Sequence, residues 1–275
     1  MKKALSIQDI SCVGKCSLTV SLPLISSMGV ECQILPTSLL STHTMFKSYS
    51  FLDLTDEMLN ILNHFELNEF KFDALCSGYL GSIRQIEILK GIASKYRSDK
   101  CLYVCDPVMA DAGKLYKGFD MAFVKEMFGL CKCADVIVPN ITEACFMLGV
   151  EYKERMSKEE VEYILRSFEK HGIKNVLLTG VSFKEDELGI ALLNEGEIKY
   201  HFNSKISRNF HGSGDIFASV FLGALLRDKT MFEASCLAAD FVCEAIKITL
   251  QEKDHNEYGL NFEQAIPYLI DRINN

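Results

Sequence analysis

Two rhythms of hydrophobic and polar residues take turns along the chain. Short apolar runs rich in strand formers, "ALSIQD", "CQILP", "FDALCS", "CLYVCD", "DVIVPN" and "NVLLTG", alternate with segments of helical period at residues 17–28, 55–65, 82–96 and 158–170. A short continuous apolar run is the mark of a strand buried on both faces, and the helical segments between supply the crossovers that parallel strands require. The pattern predicts an α/β protein built of βαβ units, with a mainly parallel sheet covered on both faces by helices. Residues 188–202, "LGIALLNEGEIKYHF", change the rhythm and predict a hairpin turning at Asn194-Glu195-Gly196. From Ser213 onward the chain reads as mostly helix. No Pro- or Ser-rich linker, repeat or low-complexity stretch divides it, so residues 1–275 are expected to form one domain.

Polar residues cluster where the predicted strands stop. Asp9 follows "ALSIQ", Asp106 follows "CLYVC", Asn140 and Glu143 follow "DVIVP", and Thr179-Gly180 follows "NVLL". Ligands of open parallel sheets bind at the carboxyl ends of strands, so these loops are expected to converge on one crevice. A single aspartate after a strand is more often a turn or cap residue. Four such loops in succession are harder to explain that way.

Residues 208–219, "RNFHGSGDIFAS", add a second signal. Gly212 and Gly214 flank Ser213, and Asp215 stands where a helix begins. Small residues let backbone N–H groups approach a bound group, and the first N–H groups of a helix lack intrahelical partners. Such a place favours an anion. An aspartate there is either a helix cap, as is Ser213 on the same reading, or a base separated from the anion by something bound between them.

Composition narrows the classes. With 275 residues, 48% of them hydrophobic, the chain can bury a large core. A net charge of −8 argues against nucleic-acid or membrane-surface binding, so an anionic ligand has to be held locally by backbone donors or a metal. Eleven scattered cysteines without C-x-x-C pairs predict reduced thiols and a cytoplasmic protein. The Cys131-Lys132-Cys133 pair has no second pair or nearby histidine to complete a zinc site. Neither a signal peptide nor an apolar run long enough to span a membrane is evident.

Six stretches together resemble the ribokinase-like small-molecule kinases, and within them the pyridoxal kinase branch. They are "IQDISCVGKCS", "STHT" (41–44), "SGYLG" (77–81), "DPVMADAGKLY" (106–116), "PNITEA" (139–144) and "HGSGDIFAS" (211–219). The resemblance runs nearly end to end and implies a three-layer ribokinase-like sandwich. It implies that Asp215 is the catalytic base and that Gly212, Ser213 and Gly214 form an anion hole, with a substrate hydroxyl between base and phosphoryl group. It further implies that Asp106 and Glu143 hold Mg²⁺, partly through water, while Asn140, Thr179 and Gly180 meet the ATP phosphates. Thr179 stands where some pyridoxal kinases have lysine. The hairpin and residues 237–247 are implied to line the adenine pocket with apolar surface.

On the substrate side the resemblance implies that Tyr79 stacks on a pyridine ring, Thr44 hydrogen-bonds its substituents and His43 lies beside them. Asp9 replaces a common serine, and either pairs with a cationic vitamer or organises its own loop. Ala110 replaces a common glycine, a change that predicts a small backbone shift if that position has positive φ. The expected activity is ATP-dependent phosphorylation of pyridoxal, pyridoxamine or pyridoxine by a homodimer. Hydroxymethylpyrimidine kinase is the rival activity, although Thr42 and Tyr79 replace the glutamine and methionine usual there. A non-catalytic vitamer-binding protein is the rival of another class.

Overall fold

The computed structural model describes residues 1–275 apart from 207, 209 and 257. Of the 208–219 stretch, position 209 therefore lies outside the described residues. The chain opens with strand β1 (Lys3–Val13), helix α1 (Leu18–Ser27), the long strand β2 (Glu31–Thr42) and the short strand β3 (Phe51–Asp53). Two crossovers follow, α2 (Thr55–Leu67) into β4 (Ala74–Ser77) and α3 (Ile83–Tyr96) into β5 (Leu102–Cys105). A small hairpin of β6 (Ala110–Asp111) and β7 (Lys114–Leu115) precedes α4 (Met121–Cys131), β8 (Val136–Ile137), α5 (Ile141–Leu148) and α6 (Lys158–Lys170). The last part holds β9 (Asn175–Val181), β10 (Glu187–Asn194), β11 (Glu197–Ser204), α7 (Ser213–Leu226), α8 (Met231–Gln251) and α9 (Phe262–Asn274).

Nine strands form one sheet in the order β11-β10-β9-β8-β5-β4-β1-β2-β3. Pairing is parallel from β9 across to β2, and antiparallel only toward the edges, where β10, β11 and β3 add on. Successive residues of the inner strands enter opposite cores, as a sheet covered on both faces demands. Leu75, Tyr103 and Leu178 face the core built with α2 to α6. Ala74, Val104 and Leu177 face the core built with α1, α7, α8 and α9. The expected α/β sandwich is therefore observed, including the hairpin, whose turn residues Glu195 and Gly196 both have positive φ.

The strand order reverses between β1 and β4, because the chain adds β2 on one side of β1 and then returns to place β4 on the other. The crevice at the carboxyl ends of these strands is where open α/β sheets bind ligands. Some elements exceed the sequence pattern. The run expected around "CQILP" is a twelve-residue strand, and α4 lies outside the periodic segments identified from sequence. Asp120 caps α4 by accepting from the Phe123 N–H at 2.9 Å.

Candidate active site

Asp106 follows β5 directly, and its N–H donates to the Ser77 carbonyl at the end of β4 at 2.9 Å. Its half-buried carboxylate has no hydrogen bond among the described residues. Burial, then the charges of Glu143 and Asp215, push its pKa well above the usual carboxylate range. Glu143 is buried in the first turn of α5, where it completes a capping box with Asn140. One carboxylate oxygen accepts from the Asn140 N–H at 2.9 Å and the other from the Met109 N–H at 3.1 Å. Burial raises its pKa to about 8 against these bonds, which favour the ionised form.

Asn140 donates from its amide to the Ala110 carbonyl at 2.8 Å, so the same few residues tie the 106–110 loop to α5. Thr179 bridges to Asn140, and its N–H donates to the Pro139 carbonyl at 2.9 Å. Gly180, exposed and at φ 78°, completes this end of the crevice. Among the described residues no group of three or more acidic, histidine or cysteine side chains could cage a metal. The donor set suits Mg²⁺ in another way, because that ion takes one or two carboxylates and fills its remaining positions with water and substrate phosphate. Asp106, unbonded and crowded by like charges, is the carboxylate such an ion would satisfy.

Helix α7 begins at Gly212, which has φ 80° and supplies no side-chain cap. The first N–H to close a helical bond is that of Ile216, onto the Gly212 carbonyl at 3.0 Å. The N–H groups of Ser213, Gly214 and Asp215 therefore lie outside the helical ladder. Neither Ser213 nor Asp215 caps this helix, so the capping alternative does not hold. The Asp215 carboxylate lies instead beside the backbone of Ser17. Burial raises its pKa to about 7, opposed by the nearby Ser17 backbone N–H, and the charge of Asp9 adds to the rise.

Ser17 stands at the N-cap of α1 with φ 50° and ψ −131°, a region that costs a non-glycine residue about 1–3 kcal/mol. Its hydroxyl does not cap the helix but donates to Asp9 Oδ1 at 2.6 Å. The other Asp9 oxygen accepts from the Ser11 hydroxyl at 3.1 Å. Asp9 is buried, and burial outweighs these bonds to raise its pKa. Both of its oxygens are thus engaged within the 9–17 segment.

On the substrate side, Tyr79 lies half-buried just past β4, its ring 5.8 Å from that of Phe119. Burial, followed by the charges of Asp9 and Tyr49, pushes its hydroxyl up to about 12, so Tyr79 and Asp9 share one electrostatic neighbourhood. At Asp9 the β1–β2 register shifts, and the hydroxyl of the buried Ser38 on β2 has no partner among the described residues. His43 is buried 4.0 Å, ring to ring, from His211, which brings "STHT" against the residues preceding the anion hole. Its Nε2–H donates to the Tyr258 carbonyl at 3.0 Å and its Nδ1 accepts from the Met45 N–H at 3.4 Å, the pattern of a neutral ring. Thr44 is exposed and has no hydrogen bond among the described residues.

The sequence profile of the phosphomethylpyrimidine kinase family matches residues 22–259. The chain belongs to that family. It is 32% identical over 272 residues to a pyridoxal kinase of Histophilus somni strain 2336, the alignment covering 90% of each protein. A Bacteroides thetaiotaomicron protein assigned as a phosphomethylpyrimidine kinase, crystallised with pyridoxal, superposes with a TM-score of 0.92 at 37% identity, over 98% of this chain and 95% of that one. Pyridoxal kinase from Lactobacillus plantarum gives 0.91 at 29% identity, over 98% and 97% of the two chains.

Two details of this family member qualify the sequence reading. Ala110 is an ordinary strand residue; positive φ falls at Ala112 and Gly113 instead, so losing a glycine at 110 strains nothing. Between β11 and α8, the elements implied to line an adenine pocket, the contact includes polar bonds: Asp240 accepts from His201 Nε2 and from Asn203 Nδ2, each at 2.8 Å. An edge strand leaves these side chains half-exposed, and the apolar residues of α8, such as Leu237 and Phe241, turn to the core below. Sequence reasoning also missed Ser17. It was read only as the first residue of the helical run 17–28, and the positive φ it adopts has no sequence mark.

Proposed function

We propose that this member of the phosphomethylpyrimidine kinase family transfers the terminal phosphoryl group of ATP to the hydroxymethyl group of a vitamin B6 vitamer. The observation that carries the reading is Asp215, a carboxylate in the first turn of a helix that does not cap it, held near neutral pKa beside unpaired N–H groups. The vitamer hydroxyl lies between Asp215 and the phosphoryl group. Asp215 accepts its proton, and the N–H groups of residues 212–214 stabilise charge on the phosphoryl oxygens. A base with pKa near the working pH suits this task. Tyr79 holds the ring, with Thr44 and His43 at its edge. Asn140, Thr179 and Gly180 receive the ATP phosphates.

Asp106 would hold Mg²⁺, with Glu143 joining through water, and the ion would supply positive charge to phosphates that an acidic crevice otherwise repels. Pyridoxal in the Bacteroides relative supports the vitamer over a pyrimidine. Residues 1–275 work as one domain, in the cytoplasm, as the eleven free cysteines suggest. Two copies pair as a homodimer; the exposed apolar side chains of Leu39, Phe51 and Leu52 on the β2–β3 edge offer a surface for it.

The test is ATP consumption with pyridoxal, pyridoxamine, pyridoxine and hydroxymethylpyrimidine in parallel. Turnover on the vitamers well above that on the pyrimidine is expected. A reversed order would make the chain a hydroxymethylpyrimidine kinase, and vitamer binding with no ATP consumption would make it a binding protein.

A further inference from the structure

Gln8 is the first residue of β1 beyond its pairing with β4, which ends at Ile7 opposite Ser77. It stands at the carboxyl end of β4, on the strand pair where the sheet order reverses. Side chains alternate along β1, so Gln8 shares a face with Ser6, whose hydroxyl meets that of Ser21 on α1 at 3.0 Å. Gln8 Nε2 donates to the same Ser6 hydroxyl at 2.8 Å. This is the face covered by α1 and α7, where Cys76 of β4 belongs to one core with Ile216, the residue after Asp215. Gln8 is only 4% exposed, yet its Oε1 has no hydrogen bond among the described residues. Buried polar atoms without a partner are rare and call for an explanation. Unlike Gln33 Oε1 and Ser38 Oγ, which are sealed and unpartnered, Gln8 Oε1 keeps an open face. Gly78 makes room for it, since a Cβ at 78 would lie 2.5 Å from that oxygen. The backbone at 78 has no positive φ, so what excludes a side chain there is the Gln8 amide.

We infer that Gln8 is a substrate-binding residue: its Oε1, held over Gly78 by the Ser6 bond, accepts a hydrogen bond from an N–H or O–H donor of the vitamer. This role rests on the vitamer reading above and deepens it, by placing an acceptor at the crevice floor beside the residue that precedes Tyr79. A vitamer carries several such donors, in its hydroxymethyl group, its ring hydroxyl and its protonated ring nitrogen. Phosphate oxygens carry none and are repelled by an amide oxygen, so Gln8 serves the alcohol substrate and not the nucleotide. A buried acceptor set to meet a donor also discriminates against ligands that lack one, because the acceptor then stays unpaired.

The experiment measures kcat, KM for pyridoxal, KM for ATP and the melting temperature in Gln8→Met, Gln8→Ala, Gly78→Ala and the double variant Gln8→Ala with Gly78→Ala. Methionine keeps the length and loses the acceptor, so KM for pyridoxal is expected to rise about tenfold while KM for ATP stays within about twofold of the parent. Gly78→Ala displaces the amide without altering it and is expected to raise the same KM by a similar factor. In the Gln8→Ala background it is expected to add nothing, because no amide is left to displace. If the Gln8 variants fail to fold, Gly78→Ala decides alone: a selective rise in KM for pyridoxal upholds the inference and an unchanged value overturns it. A folded Gln8→Met enzyme with the parent's KM for pyridoxal, equal rises for both substrates, or full additivity in the double variant also overturns it, while vitamer turnover by the parent leaves the proposed function standing. A parent that consumes no ATP with any vitamer overturns both.

Discussion

Gly212 packs so closely on Lys15 that a β-carbon at 212 would lie 1.9 Å from the Lys15 carbonyl oxygen. Its φ of 80° disfavours a side chain independently. Gly214 differs: it is exposed, and a Cβ there meets nothing within 4 Å. Gly212→Ala should therefore lower both thermal stability and turnover. Gly214→Ala should leave the melting temperature unchanged or raise it, since alanine is the better helix former by about 1 kcal/mol, while slowing phosphoryl transfer by filling the cradle. Melting curves and initial rates for the two variants check this, and full activity of Gly214→Ala would show that no phosphoryl group approaches there.

Asp215 carries a stability cost that its proposed role explains. Its pKa rises from 3.8 to about 7 on folding, so the folded state holds this proton more tightly than the unfolded one. Its contribution is fully favourable below about pH 4 and is lost as pH rises through 7. Asp215→Asn should therefore be more stable than the parent at pH 8, by roughly 1–2 kcal/mol after allowance for partial exposure, with the difference vanishing near pH 4. Turnover should fall on the order of 10²–10⁴-fold while both ligands still bind. Denaturant melts at the two pH values, with rates and binding measured together, check both parts. Near-normal turnover would remove the base assignment.

Glu143 uses one oxygen on Asn140 and the other on Met109. Glutamine retains one acceptor and turns an NH₂ group toward the second N–H, so Glu143→Gln should cost about 1–3 kcal/mol of stability. Because the 106–110 loop carries Asp106, the Mg²⁺ concentration for half-maximal turnover should rise as well. Unfolding curves and a magnesium titration above pH 8 check these outcomes. A destabilised variant with unchanged magnesium dependence would reduce Glu143 to a structural cap.

Tyr79 contributes an aromatic face next to Phe119. Tyr79→Ala should weaken vitamer binding by roughly 1–3 kcal/mol and leave ATP affinity nearly unchanged. Calorimetric titration of each ligand separates the two, and equal weakening of both would make Tyr79 a packing residue.

Local pattern determined much of this protein. Continuous apolar runs separated by helical stripes are enough to specify a parallel sheet with two covered faces, because both periods are properties of the chain itself. The same holds for the start of α7 at residues 212–215 and for the capping box that joins Asn140 to Glu143 three residues on. Packing decided the rest. That Asp215 does not cap its own helix was not legible locally, and its near-neutral pKa depends on burial that no short stretch encodes. His43, expected at the edge of a ring pocket, is fastened to the carbonyl of Tyr258, which only the folded C-terminal segment brings within 3.0 Å. Asp9 was left open between two roles because one of its partners, the hydroxyl of Ser17, lies eight residues on and becomes its neighbour only in the folded chain.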